Sequence, residues 1–170
     1  MLRHLFPRLT PDSQRGGALF EALVGEARRA HWFVEGEVAD TLDGRFAVLA
    51  TVVALATVRL ERGGAAAHAA AVALAERFVE AMDAEHRQLG IGEPGLGKTV
   101  RRLVGGLARR VELWRSAVDG GDWNGAVVAS LFPAGAPDGP ASEHCEAAIR
   151  DCWARLKASS DEALAEGVIG

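Results

Sequence analysis

Residues 92–99 read Gly92-Glu93-Pro94-Gly95-Leu96-Gly97-Lys98-Thr99, matching the nucleotide-binding pattern GxxxxGK[ST] at every fixed position. In a nucleotide hydrolase such a loop follows a buried strand. Its backbone N–H groups wrap the phosphates, the Lys reaches the outer phosphates, and the Thr hydroxyl binds Mg²⁺ where a helix begins. A P-loop enzyme using Gly92 to Thr99 is thus the catalytic reading to weigh. The residues upstream argue against it. Val72, Ala75, Val79, Met82 and Leu89 recur at helical steps, with Glu76, Arg77, Glu80, Asp83, Glu85 and Arg87 between them. That pattern makes an amphipathic helix, where a central parallel strand needs a short, unbroken β-branched run. No later segment ends four apolar residues in Asp, and no βαβ alternation is present. Gly90, Gly92, Pro94, Gly95 and Gly97 read instead as the stop of one helix and the turn into the next.

The other reactive side chains do not gather into a catalytic or metal-binding pattern. His4, His31, His68, His86 and His144 lack HExxH or any other ligand spacing with a second His or Cys, and no Ser lies in GxSxG. His86 falls on an apolar helical stripe, and His144 points to a different helix face from Cys145. Cys145 and Cys152 are seven residues apart on one expected helix. Their Cα atoms are therefore about 10 Å apart, too far for a disulfide, and both are expected to fill core volume. No CxxCH motif attaches haem, so no cofactor and no metal are assigned.

The elements that carry these residues are helical. The chain has 170 residues, enough for one domain with a real core. Ala dominates its 49% hydrophobic content and Tyr is absent, a composition that favours helices. A formal charge of −4 gives no whole-protein attraction for nucleic acid or anionic membranes. The N-terminal residues lack the apolar run and cleavage site of a secretory signal, and no apolar stretch reaches the ~18–20 residues needed to span a bilayer. A reduced, cytoplasmic protein is expected.

Six helices are expected in a single all-α domain covering 1–170. The first spans about Ser13 to Phe33, with Leu19, Phe20, Leu23, Val24 and Ala27 on one side. The second runs from about Leu42 to Glu61 after an N-cap at Asp40-Thr41; it is apolar nearly all round and should be the central element. The third runs from about Ala66 to Leu89. The fourth begins near Lys98, and Val100, Leu103, Val104, Leu107, Val111, Trp114 and Val118 share an arc of about 100° on it. The fifth runs from about Trp123 to Leu131. After the Pro/Gly loop 133–141, the sixth runs from about Ser142 to at least Lys157, with Cys145, Ala148, Ile149, Cys152, Trp153 and Leu156 inward. Lys98, Arg102 and Arg109 lie opposite the apolar arc of the fourth helix, with Arg101, Arg110 and Arg115 between. That stripe reads either as a solvated face balancing the acids of the third helix or as a docking surface for an acidic partner, anionic headgroups or RNA. Gly105 and Gly106 lie off the arc, where they are either tolerated or admit another backbone.

Three segments together resemble the ubiquinol–cytochrome c chaperone family, bacterial relatives of the mitochondrial factor that helps assemble cytochrome b into respiratory complex III. They are Asp40-Thr-Leu-Asp-Gly-Arg-Phe46, Phe78-Val-Glu-Ala-Met-Asp83, and Leu89-Gly-Ile-Gly-Glu-Pro-Gly-Leu-Gly-Lys98 with Val100 and Arg101 beyond. The resemblance covers about residues 15 to 120, leaving the helices of about 122–160 without its support. Ala47 stands where members often carry an acid, and Trp114 where Tyr is usual. The family's Gly-rich turn does not require the Thr at position 99, which accounts for an accidental P-loop match.

The resemblance implies a non-catalytic assembly chaperone. It would hold cytochrome b or another membrane-protein client at the cytoplasmic face, with or without a small partner subunit and with no nucleic acid. Cytoplasmic loops of membrane proteins are rich in Lys and Arg, which suits an acidic patch made of Asp40, Asp43, Glu80 and Asp83. Arg45 either joins that surface or pairs with Asp83 inside the fold. Lys98, Arg102 and Arg109 would face headgroups as a peripheral membrane contact. A generic helical adaptor is the remaining alternative.

Overall fold

From Phe46 to Val58 the sequence carries no charge and mixes Ala with Val and Leu, so neighbouring helices can approach it from any side. In a computed structural model of the chain, which describes residues 16–88, 93–137 and 139–170, that segment is the axis of the molecule. The elements are α1 (Gly17–Ala27), a 3-10 turn (Ala30–Trp32), α2 (Leu42–Leu60), α3 (Ala65–Gln88), α4 (Glu93–Val118), α5 (Trp123–Leu131), α6 (Ala141–Ala158) and α7 (Asp161–Ala165). Helices α1, α3, α4, α5 and α6 all pack on α2, which is buried almost without interruption from Ala47 to Leu60. All regular structure among the described residues is helical, as the composition requires.

The interior of α2 is polar at only two positions, and both are satisfied locally. Thr51 and Thr57 donate their hydroxyls to the Ala47 and Val53 carbonyls at 2.7 and 2.9 Å. At the N-terminus Thr41 caps the helix, its hydroxyl oxygen accepting the Gly44 N–H at 3.2 Å. Gly44 is needed there because a Cβ would run into the Ala39 carbonyl. At the C-terminus Arg59 works as a clasp. Its guanidinium donates to the Leu156 carbonyl at 3.2 Å, the Ser159 carbonyl at 2.7 Å and the Asp161 carboxylate at 2.9 Å. The other Asp161 oxygen accepts the Gly64 N–H at 3.3 Å, so one cation ties the ends of α2 and α6 to the start of α7.

Several boundaries differ from those expected. The first helix stops at Ala27, well short of Phe33, because Arg29 is extended and Trp32 folds back, donating its indole N–H to the Glu26 carbonyl at 3.0 Å. Trp32 is completely buried, and burying that ring outweighs another helical turn. On α3 the buried line runs through Ala67, Ala71, Leu74 and Phe78, so Val72, expected inward, is 61% exposed. Val104, also expected in the apolar arc of α4, is exposed as well, while Leu103, Leu107, Val111 and Trp114 are buried. The seventh helix is an addition. The Ser160 hydroxyl accepts the Ala163 N–H at 3.1 Å, and Gly167, at φ 77°, closes the turn. His4, Ser13, Leu89, Gly90, Ile91, Gly92 and the His86 side chain lie outside the described residues.

The turn expected through Pro94, Gly95 and Gly97 is not made, because these residues belong to α4. α3 runs to Gln88 and α4 starts at Glu93, several residues before the expected Lys98, so Glu93 to Thr99 are helical. A P-loop follows a buried strand, and here the element ahead of the motif is the helix α3. A Cβ added at exposed Gly97 meets nothing within 4 Å. Gly97→Ala is therefore expected to raise stability in urea by about 0.5–1 kcal/mol, and millimolar Mg–ATP to leave the melting temperature unchanged.

Arg59→Ala orphans two carbonyls and a carboxylate, and is expected to cost about 2 kcal/mol in the same assay. The Asp161 carboxyl is held below its ordinary range, first by the Arg59 hydrogen bond and then by the Gly64 N–H. A depressed carboxyl stabilises the fold above its unfolded pKa of about 3.9 and loses that contribution as pH falls through the folded value. The stability gap between wild type and Asp161→Asn should be full at pH 7 and shrink below about pH 4.

Candidate functional site

A groove of about 860 Å³ opens between α1, the 30–34 segment, the N-terminal half of α2, the end of α3 and the middle of α4. Its floor is apolar. Phe20 and Val24 come from α1, Phe46 and Leu49 from α2, Met82 from α3 and Leu103 from α4, each set by the inward face of its helix. At the lip, Val34 and Leu42 are 68% and 47% exposed, among the larger apolar side chains left facing water. The rim carries both signs: Arg28, Arg45, Arg102, Arg109 and Arg110 against Glu21, Asp40, Asp43 and Glu85.

Of the residues singled out from the sequence, Asp40, Asp43, Arg45, Arg102 and Arg109 line this groove together, while Asp83 and Lys98 do not. The pairing of Arg45 with Asp83 is not made. Arg45 donates to Asp40 at 2.7 Å, and Asp83 accepts from Arg87 at 3.0 Å one turn away on its own helix. Asp40 follows Arg45 because the two flank the Thr41 cap, whereas Asp83 lies on the far helix. The hydrogen bond from Arg45 holds the Asp40 carboxyl below its usual range, and Asp40 in turn raises Arg45. Both side chains are exposed, so the pair adds little stability. Glu80 likewise pairs within α3, with Arg77 at 3.1 Å, so neither Asp83 nor Glu80 reaches the basic stripe of α4.

That stripe divides. Arg115 is committed to Glu61 at 2.8 Å and to Glu112. Arg110 folds inward, donating to the Ser130 carbonyl at 3.0 Å and the Gly106 carbonyl at 3.4 Å, with its guanidinium 5.8 Å from the Phe46 ring centroid. Burial lowers its pKa, with help from Arg109, yet a guanidinium stays charged. Among the described residues, Arg28, Arg102 and Arg109 make no ion pair, and neither do Glu21, Asp43 and Glu85. Gly106 admits no other backbone; a Cβ there meets only the Arg110 and Arg109 guanidinium ends, at 3.7 and 4.0 Å. Its missing side chain widens the groove instead. Sequence reasoning placed Arg110 in the basic stripe but missed its inward turn, and it missed the floor, although Phe46 stood in the Arg-Phe pair of the first motif.

The groove offers an apolar trough for side chains and, among the described residues, charges of both signs without ion-pair partners along its edge. The candidate nucleophiles are occupied elsewhere. Burial pushes the Cys145 and Cys152 thiols up to about 11 and about 12, so neither is a thiolate at neutral pH. The Ser130 hydroxyl accepts the Trp114 indole N–H at 3.1 Å in the core. Among the described residues no three His, Cys, Asp or Glu side chains gather as metal ligands, and no helix is long and apolar enough to cross a membrane.

Comparison with known proteins places this architecture. A crystal structure described as that of the Cbp3 homolog from Brucella abortus superposes with a TM-score of 0.79 at 29% identity, covering 91% of this chain and 87% of that one. No curated protein matches the sequence. The family model described as Ubiquinol-cytochrome C chaperone matches residues 35–169, which takes in α2 to α7 and extends well past the last of the three motifs. The chain therefore belongs to the ubiquinol–cytochrome c chaperone family.

Proposed function

We propose that this protein is a non-catalytic assembly chaperone for the ubiquinol–cytochrome c reductase complex, and that the groove is its client-binding surface. The family match over α2 to α7, the helices that supply most of the groove, carries this reading. The client is cytochrome b or another helical membrane subunit held before its partners dock, at the cytoplasmic face of the membrane. A membrane subunit outside its complex exposes apolar helix faces flanked by charged loop residues. The apolar floor and the two-signed rim complement such a segment. Asp43 with Glu21 and Glu85 would meet the client's Lys and Arg, and Asp40 is already half-neutralised by Arg45. Exposed Lys98, Arg101, Arg102 and Arg109 form the open part of the basic stripe, suited to anionic headgroups or to acidic groups on the client.

Deletion of the gene is expected to lower assembled complex III, and the tagged protein to co-purify with cytochrome b in mild detergent. Val34→Asp combined with Leu42→Asp alters only exposed lip residues, so the fold should persist while client capture falls about tenfold or more, as for loss of an apolar anchor. Normal complex III levels in the deletion strain would dispose of the assembly role. Undiminished capture by the double variant would instead move the client off the groove.

A further inference from the structure

His31 and His144 are separated by 113 residues of sequence, yet the fold brings them face to face. His31 sits in the 3-10 turn and His144 in the first turn of α6, and both are half-buried. His31 Nδ1 lies 3.1 Å from His144 Nε2, with the ring centroids 5.3 Å apart and the planes at 66°. One ring therefore donates its N–H to the lone pair of the other. The His31 backbone is fixed by the Gly36 N–H, which donates to its carbonyl at 2.9 Å, and the ring rests 4.5 Å from that of buried Trp32. Neither histidine lines the groove, and nothing in the proposed chaperone role uses the pair.

We propose that His31 and His144 form a two-imidazole site for a borderline divalent metal ion of the Zn²⁺ or Cu²⁺ class. The geometry carries the assignment. Imidazole nitrogens bind zinc at about 2.0–2.1 Å, and a tetrahedral angle then places two of them about 3.3 Å apart. At the observed 3.1 Å the two nitrogens face each other, and each ring turns by about 35° to converge on one ion at nearly that spacing. Entry of the ion exchanges one hydrogen bond for two metal–nitrogen bonds. The donor ring shifts its proton to its other nitrogen, so neutral rings release no net proton. Two neutral nitrogens and no thiolate suit zinc, and copper more strongly by the Irving–Williams order, leaving the remaining positions to water or an external ligand. Ala30, Phe33 and Val34 flank His31 and line the groove, so a bound ion would fasten that wall to α6.

The site is tested by calorimetric titration of the full chain with ZnCl₂, and by electron paramagnetic resonance with Cu²⁺. One ion per chain and nitrogen coupling from two imidazoles are expected. His31→Asn and His144→Asn should each weaken Zn²⁺ binding about tenfold or more. His68→Asn, which removes an exposed ring bonded only to the Glu61 carbonyl, should leave it unchanged. Circular dichroism checks each fold, and if His31→Asn disturbs the turn, His144→Asn on the helix surface decides alone. Binding that survives both substitutions, or no saturable binding at millimolar Zn²⁺, overturns the proposal. Neither outcome touches the chaperone reading, because no client is present in the assay.

Discussion

The fold depends on a helix surrounded by protein on all sides. Once α2 is buried from Ala47 to Val58 without a charge, every polar function must move to its two ends. At the C-terminal end Arg59 gathers two carbonyls and a carboxylate, joining the last two helices to the core. The N-terminal end is built differently. Thr41 caps the helix, Gly44 lets the chain cross close to Ala39, and Arg45 and Asp40 stay on the outside. The next residue inward, Phe46, is half-buried rather than sealed, and the groove opens there. Clasp and groove are thus opposite ends of one apolar helix.

Why the groove stays open is a matter of missing volume. Leu103 and Leu107 of α4 pack inward, but Gly106 between them contributes no side chain. The space is bordered by the Arg110 guanidinium, which stacks near Phe46 and donates to backbone carbonyls while its Nε finds no partner among the described residues. A leucine in place of either would close the trough and gain apolar burial. Keeping a glycine and a partly desolvated cation sacrifices stability at one place, a common signature of a surface kept for a partner.

Legibility in the sequence tracked the range of the forces involved. The course of α2 and the exact span of α5, Trp123–Leu131, were readable because caps and apolar periodicity are local. The end of α1 was not, because a tertiary event decides it: Trp32 leaves the helical path to reach the core. On α3, Ala71 and Leu74 rather than Val72 face inward, since Ala is too small and too common to mark a face. α7 left a faint trace in Ser160, Asp161 and Gly167, but five residues hold too few apolar positions for periodicity to register. Asp40, Asp43 and Arg45 were picked out from the first motif, and Arg102 and Arg109 from the basic face of the fourth helix, though not as one surface. Their partners were not, because ion pairing follows side-chain reach: Asp83 met Arg87 one turn away before any residue of α2. The His31–His144 approach, across most of the chain, had no local signal at all.

An assembly chaperone must release what it holds, and the groove's physical character fits that demand. Its apolar floor is walled by side chains from four helices, so a client segment seated there, as proposed, would bury limited area and pay an ordering cost against it. The rim charges without ion-pair partners among the described residues, Arg28, Arg102 and Arg109 against Glu21, Asp43 and Glu85, would contribute chiefly to encounter rate and orientation. Fast association with modest burial means that affinity is set by dissociation, and a competing apolar surface on the next subunit can take over the client. Fully paired rim charges or a deeper floor would hold the segment longer than assembly can use. On the proposed reading, lip residues as exposed as Val34 and Leu42 would bury apolar surface only while the client is seated, which favours reversible binding.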